Sequence, residues 1–191
     1  MSNYNTNSSI DSLIMLFSRM SGFQRSNRFN VKLFPPESLS AKNTISNDNI
    51  FAYMVQIPSQ SILYREDNMS PSGPSIQIPL KRAYDDRLLI EFIIDSNWNI
   101  RKFFESWIDL VFVKTDQIGT GYNNSARVQY WNNIVGTVII QALGLDGEIM
   151  NTITLYDAYP KMIIPTEMNS NSQNMFLTMM VDMNYRYYTT T

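Results

Sequence analysis

The sequence predicts a mainly β (α+β) domain, an antiparallel β-sandwich or barrel of about seven or eight strands with one flanking helix and an N-terminal helical arm. Three observations carry that expectation. Apolar and polar residues alternate through several short runs that end at Pro or Gly. Residues 100–111 alone carry a strong helical stripe, and residues 1–9 (MSNYNTNSS) are too polar to enter a core.

In the arm, residues 1–26, Ile10, Leu13, Ile14 and Phe17 fall at i, i+3, i+4 and i+7. Ser8 or Ser9 can cap this short helix, Asp11 sits in its first turn and Gly22 can stop it. Such a helix packs on its own domain or on a neighbouring subunit; the pattern is equally consistent with both. Residues 27–191 form the domain.

From Arg28 the period becomes two. Phe29, Val31 and Leu33 alternate with Arg28, Asn30 and Lys32 until Pro35 and Pro36 end the strand. Residues 37–49 (ESLSAKNTISNDN) read as a long polar loop. Residues 50–57 (IFAYMVQI) read as a strand closed by Pro58, with Ser61–Tyr64 a short continuation. Residues 65–75 are a surface loop. Ile76, Ile78 and Leu80 mark a short strand that Pro79 places at an edge or a bend. Residues 87–94 (RLLIEFII) are more continuously apolar, as a strand covered on both faces would be.

Ile100, Phe103, Phe104, Trp107, Ile108 and Val111 make one helical stripe, with Arg101, Lys102, Glu105 and Asp109 opposite it. Phe103, Phe104 and Trp107 are the expected helix-packing residues, and Asp95, Ser96 and Asn97 offer capping side chains. Residues 114–127 form another polar loop, and Asp146-Gly147 suits a hairpin between strands 137–143 and 150–155. Residues 156–174 read as irregular, with Pro160 and Pro165. The longest strand is expected over 175–187, where Met175, Leu177, Met179, Val181, Met183, Tyr185 and Tyr187 share a face.

Composition narrows the chemistry. Zero Cys and zero His exclude disulfides, thiolate nucleophiles, imidazole bases and the common zinc sites. What survives is a carboxylate-only hydrolase or an oxygen-ligand Mg²⁺ or Ca²⁺ site. Asp146, Gly147 and Glu148 bring too few ligands for the latter, and no serine stands at S-x-x-K spacing. The GxG in residues 116–124 has no strand-to-helix context, so a turn is the better reading. The dense charge cluster is Arg82, Asp85, Asp86 and Arg87. Adjacent carboxylates in extended chain point to opposite faces, so they do not share a proton or a metal. They read as structural ion pairs, or as contacts between subunits or rings. No enzyme and no cofactor is expected.

A net charge of −2 does not suit phosphate neutralisation, and the aromatic YRYY close to the C-terminus contains one Arg. A single-stranded nucleic-acid module is therefore the weakest reading. No secretory signal and no apolar run near the ~20 residues of a membrane span is present, so a soluble intracellular or particle-bound protein without a membrane anchor is expected.

The ordered segments RFNVKL (28–33), VQIPS (55–59), IPLKRAYDDRLLIEFIID (78–95), IRKFFESWID (100–109), TLYDAYPKMIIP (154–165) and FLTMMVDMNYRYY (176–188) resemble the tail tube proteins of contractile-tailed bacteriophages. The likeness runs over roughly residues 27–188 in the same order. The chain departs from the family pattern in its polar arm, its 35–49 loop, and Arg87 where an aromatic often follows the Asp pair. The resemblance implies hexameric rings that stack into a tube, a conduit for genome delivery within a contractile sheath, with relatives in type VI secretion and contractile injection particles. It implies as partners further copies of the chain, tail sheath protein, baseplate and tail terminator proteins, and tape measure protein and viral DNA in the lumen without sequence-specific binding. The location implied is the virion tail, and the host cytoplasm during assembly. Two alternatives stand beside this: a tube-like paralog at the tube end, acting as baseplate initiator or tail terminator, and a virion-associated carboxylate hydrolase.

Overall fold

A computed structural model describes residues 24–40, 50–67, 76–85, 87–113, 127–169 and 176–191. The arm helix expected at residues 10–17, Asp86 and the GxG of residues 116–124 lie outside these residues.

Alternation builds most of the strands. β1 (Phe29–Phe34) buries Val31 and Leu33, as its period of two requires. Pro35 and Pro36 end it, but the next four residues form a single helical turn, α1 (Glu37–Ser40), instead of loop, with Leu39 buried. β2 (Ala52–Val55) leads through Pro58 into β3 (Gln60–Asp67), which is longer than the expected continuation. β4 (Ile76–Tyr84) returns along β3, and β5 (Leu88–Ile93) follows. In β5 burial alternates: Leu88, Ile90 and Phe92 are fully buried, whereas Leu89, Glu91 and Ile93 are half-buried. Its apolar run thus reflects one core face and one partly covered face.

Helix α2 (Asn99–Val111) begins where the sequence places it. Asp95 is the residue that caps it: Oδ1 accepts from the backbone N–H of Asn99 at 2.8 Å and of Ile100 at 3.3 Å. After α2, the two-residue strands β6 (Phe112–Val113) and β7 (Arg127–Val128) pair at the neck of the 114–126 segment. A second helical turn, α3 (Trp131–Ile134), precedes β8 (Gly136–Leu143). The β8 hairpin turns at Asp146-Gly147, where Gly147 has φ +82° and the N–H of Gly144 donates to the carbonyl of Glu148 at 2.8 Å.

The longest strand is not the last one but β9 (Ile149–Ile163), 15 residues. Residues expected to be irregular, Tyr156–Ile163, continue it because they find a new partner. Its first part pairs β8 (Val138↔Leu155) and β11 (Tyr187–Thr190), and its last part pairs β10 (Thr178–Asn184). Pro160 is tolerated because, among the described ladders, β10 alone pairs with that part of the strand. At the register shift in the β8 ladder, between Leu155 and Ala158 and just before β10 takes over at Tyr159, stands Asp157 with φ +54°. The expected 175–187 strand breaks correspondingly after Asn184, so Met179, Val181, Met183 and Tyr185 are buried while Tyr187 is exposed.

The strand order β1-β8-β9-β10-β5-β2, with β11 added on β9, is antiparallel throughout and open at β1 and β2. The sheet is a sandwich folded over at β9, not a closed barrel. The sheet has seven strands, in line with the expected seven or eight, and β3–β4 and β6–β7 pair separately from it. Val31, Leu33, Val138, Ile140 and Leu155 of one half share a core with Leu88, Ile90, Phe92, Met179, Val181 and Met183 of the other. Burial of each such side chain contributes about 1.5–3 kcal/mol before chain entropy is counted.

Helix α2 covers this core with Ile100, Phe103, Phe104 and Trp107. Phe104 lies 5.1 Å from the Phe92 ring and stacks on Trp107 at 6.5 Å, while Phe103 meets both edge-on. Trp107 Nε1 donates to the carbonyl of Ile134 at 2.8 Å, which ties α3 to the helix. Gly136 sits beneath the same indole; a Cβ there would run into the Phe34 carbonyl oxygen and lie 2.9 Å from Trp107 Cζ2.

Candidate assembly interface

β2 and β5 pair inside the sandwich (Val55↔Ile90), and the same two chain segments run on, past Pro58 and Asp85, as the β3–β4 hairpin. The hairpin pairs from Gln60↔Tyr84 to Asp67↔Ile76 and, among the described residues, belongs to no larger sheet. A register shift falls after Leu63: Leu63 pairs with Lys81 and Tyr64 with Pro79, which has no N–H to give, so Leu80 is the extra residue between them.

Its composition contradicts its exposure. Ile62, Leu63, Tyr64, Ile76, Ile78 and Leu80 are all exposed, with Ile62 and Leu80 each at 63%. A lone two-stranded hairpin is marginal in water, and so many exposed apolar side chains on one hairpin point to a place where another surface binds. Basic side chains border it, Lys81 and Arg82 on β4.

The foot of the hairpin is held from several sides. The Asp85 N–H donates to the Ser59 carbonyl at 3.4 Å, and Ser59 Oγ lies 3.5 Å from Asp85 Oδ2, so the two legs are joined. Asp85 Oδ1 accepts from the N–H of Arg87 at 3.3 Å, which shapes the turn into β5. Arg87 Nε in turn pairs with Asp182 Oδ2 on β10 at 3.1 Å. Tyr84, the last residue of β4, meets Tyr188 of β11 edge-on at 5.5 Å.

The structure therefore distributes the sequence-predicted charges. Arg82 is exposed on the hairpin across from Ile62, Asp85 closes the foot, Arg87 reaches back to β10, and Asp86 lies outside the described residues. Phe103, Phe104 and Trp107 pack in the core. Sequence reasoning missed two features. The hairpin was hidden because Ser61–Tyr64 and Ile76–Leu80 read as separate short strands; their similar apolar content on either side of one loop was the available signal. Asp182 was hidden inside MMVDMN, where a lone carboxylate in an apolar strand is the signal of a buried partner.

Among the described residues no group of three or more acidic side chains is placed to hold a metal ion, and no helix is long and apolar enough to cross a membrane.

The sequence model of a family described as phage tail tube protein matches residues 24–191. No curated protein matches the sequence. Among solved structures, a chain of the anti-feeding prophage baseplate, 6-fold symmetrised, is similar with a TM-score of 0.63 and 14% identity, covering 90% of this chain and 97% of that one. A chain of the PVC sheath/tube terminator of an extracellular contractile injection system has a TM-score of 0.58 and 12% identity over 87% and 95%. A chain of the PVC sheath-tube complex in the extended state has a TM-score of 0.56 and 12% identity over 93% and 96%. At these identities the likeness establishes a common fold.

Proposed function

The chain belongs to the phage tail tube protein family, and from that premise we propose that six copies close into a ring, and that rings stack into the conduit through which a genome is delivered inside a contractile sheath. The single observation that supports this most is the β3–β4 hairpin, apolar and exposed on residues of both its strands, leaving a sandwich whose sheet is open at β1 and β2. Each is a surface that water disfavours and a second copy can cover.

At the β2 end, Phe51 and Tyr53 are exposed at 68% and 63%, and β2 is an edge strand whose outward backbone groups meet no further strand among the described residues. Pairing β2 of one subunit with an edge of the next satisfies those groups and leaves no template for uncontrolled aggregation. A contact repeated head to tail and closing on itself gives a ring; the hairpin, projecting beyond the sandwich, is suited to bridging subunits or rings. Arg82, Asp85 and Arg87 stand on or at the foot of that hairpin, and they and the neighbouring Asp86 of the sequence are proposed to take part in those contacts. The work of such a subunit is geometric, and it needs no catalytic group. A net charge of −2 suits a lumen that lets DNA slide. Sheath, baseplate, tube-terminating and tape measure proteins are the proposed partners, with the virion tail as the location and the host cytoplasm as the place of assembly.

Negative-stain microscopy of the purified full chain tests the proposal. Sixfold rings and long tubes are expected. Single rings that stack on one face only would move the assignment to an initiator or terminator at the tube end. A stable monomer with carboxylate-dependent hydrolytic activity would overturn both.

A further inference from the structure

A hairpin that joins subunits is effective when it already points the right way, because each degree of freedom frozen on association costs free energy. We infer that Asp182 is a positioning residue for the β3–β4 hairpin: its buried carboxylate holds Arg87, and through Arg87 it fixes the direction in which the hairpin leaves the sandwich, with Tyr84 on Tyr188 as the second hold. The purpose rests on the tube-subunit reading; the mechanics concern the isolated chain.

Asp182 is the one buried charged residue among the described residues, at 4% exposure. It stands in β10 between Leu89 of β5 and Met162 of β9. Oδ2 is paired with Arg87 Nε at 3.1 Å, and Oδ1 has no hydrogen-bond partner among the described residues. A carboxylate kept out of water with half its acceptor capacity unmet is a poor source of stability, and an apolar side chain of similar size would serve a core at least as well. The effect of the pair lies in where it puts Arg87.

That place is the hinge. Arg87 stands three residues after Tyr84, the end of the hairpin, and directly before β5. Between them Asp85 is joined to Ser59, so both legs of the hairpin move as one. Arg87 is anchored to β10, in the half of the sandwich that contains β5 and β2. Tyr84 is anchored to Tyr188 of β11, which pairs with the part of β9 that faces β8. One hold would let the hairpin swing about it. Two holds, on different halves of the sandwich, set a direction.

The full sequence has no cysteine, so two spin labels can be introduced without removing any native thiol. Cysteines replacing the exposed Gln77 on β4 and the exposed Lys161 on β9 report the hairpin's direction by pulsed electron resonance in the dilute, unassembled full chain. The parent is expected to give one narrow distance peak, and Arg87→Gln and Asp182→Asn are expected to lose it. Because an unpaired Asp182 could also loosen the fold, the double variant Arg87→Met/Asp182→Leu replaces the ion pair with an apolar one. It is expected to keep a cooperative melting transition while still losing the narrow peak and tube formation. A narrow peak retained in Arg87→Gln or in the folded double variant overturns the inference, as does a broad distribution in the parent. A chain that shows the peak and its loss but never forms rings overturns the tube reading and leaves the hinge standing.

Discussion

Arg186 and Asp157 are joined across the corner of the sandwich: the guanidinium Nη1 lies 3.3 Å from the Asp157 Oδ2, and the backbone N–H of Arg186 donates to the carbonyl of Tyr156 at 3.1 Å. This is where both long strands change partner. Around Asp157, β9 leaves β11 after Tyr156 and β8 after Ala158 and takes up β10 from Tyr159, and the chain passes from β10 to β11 at Tyr185 and Arg186. The left-handed backbone at Asp157 and the break after Asn184 together let one sheet fold into two facing halves.

Position 157 should therefore respond to backbone geometry more than to charge. Asp157→Val is expected to cost about 1–2 kcal/mol more than Asp157→Gly, because a β-branched residue resists positive φ and glycine does not. Loss of the exposed ion pair itself contributes about 0–1 kcal/mol. Equilibrium denaturation of the two variants checks the order; equal midpoints would show that the backbone at the corner is not under constraint.

Gly136 is needed for want of room. Gly136→Ala places a methyl group against the Phe34 carbonyl and the Trp107 indole, with an expected loss of about 1–3 kcal/mol. Trp107→Phe removes the donor to the Ile134 carbonyl and is expected to cost a further ~1–3 kcal/mol for the acceptor left unmet. Urea unfolding curves measure both.

Asp95 is separable from its neighbours Ser96 and Asn97. Asp95→Ala removes the acceptor for two N–H groups at the start of α2 and should cost about 0.5–2 kcal/mol, while Ser96→Ala should cost a few tenths at most. Equal effects in thermal melts would place the cap elsewhere.

The hairpin should separate assembly from stability. Ile62→Glu and Leu80→Glu change side chains exposed in the single subunit, so each is expected to stay within about ±0.5 kcal/mol of the parent stability. Both are expected to prevent tubes in negative stain. Tubes of normal length from either variant would remove the hairpin from the interface.

The strands that bury one face were legible in the sequence because alternation is a local consequence of the pleat. Val31 and Leu33, or Met179, Val181 and Met183, announce their own burial. Helix α2 was legible for the same reason, at period 3.6, with its cap in the preceding Asp. The turns α1 and α3 were not, since four residues carry too little periodicity. The continuation of β9 through Pro160 was not, since it depends on β10 arriving beside it. The hairpin's apolar residues could be read, but not that they stay exposed among the described residues.

By itself the sequence determined a cysteine-free, histidine-free, mainly β chain with one amphipathic helix, which removed the chemistry that needs a thiol or an imidazole. It also placed Arg82, Asp85, Asp86 and Arg87 in one short charged stretch. The tertiary structure decided where its described side chains lie. It set Arg87 against Asp182, 95 positions further along the chain, and set Asp85 at the foot of a bare hairpin. Periodicity is local and can be read from neighbours. A pairing between distant strands exists only once register and sheet order are fixed, and those come from how the whole chain buries its apolar faces.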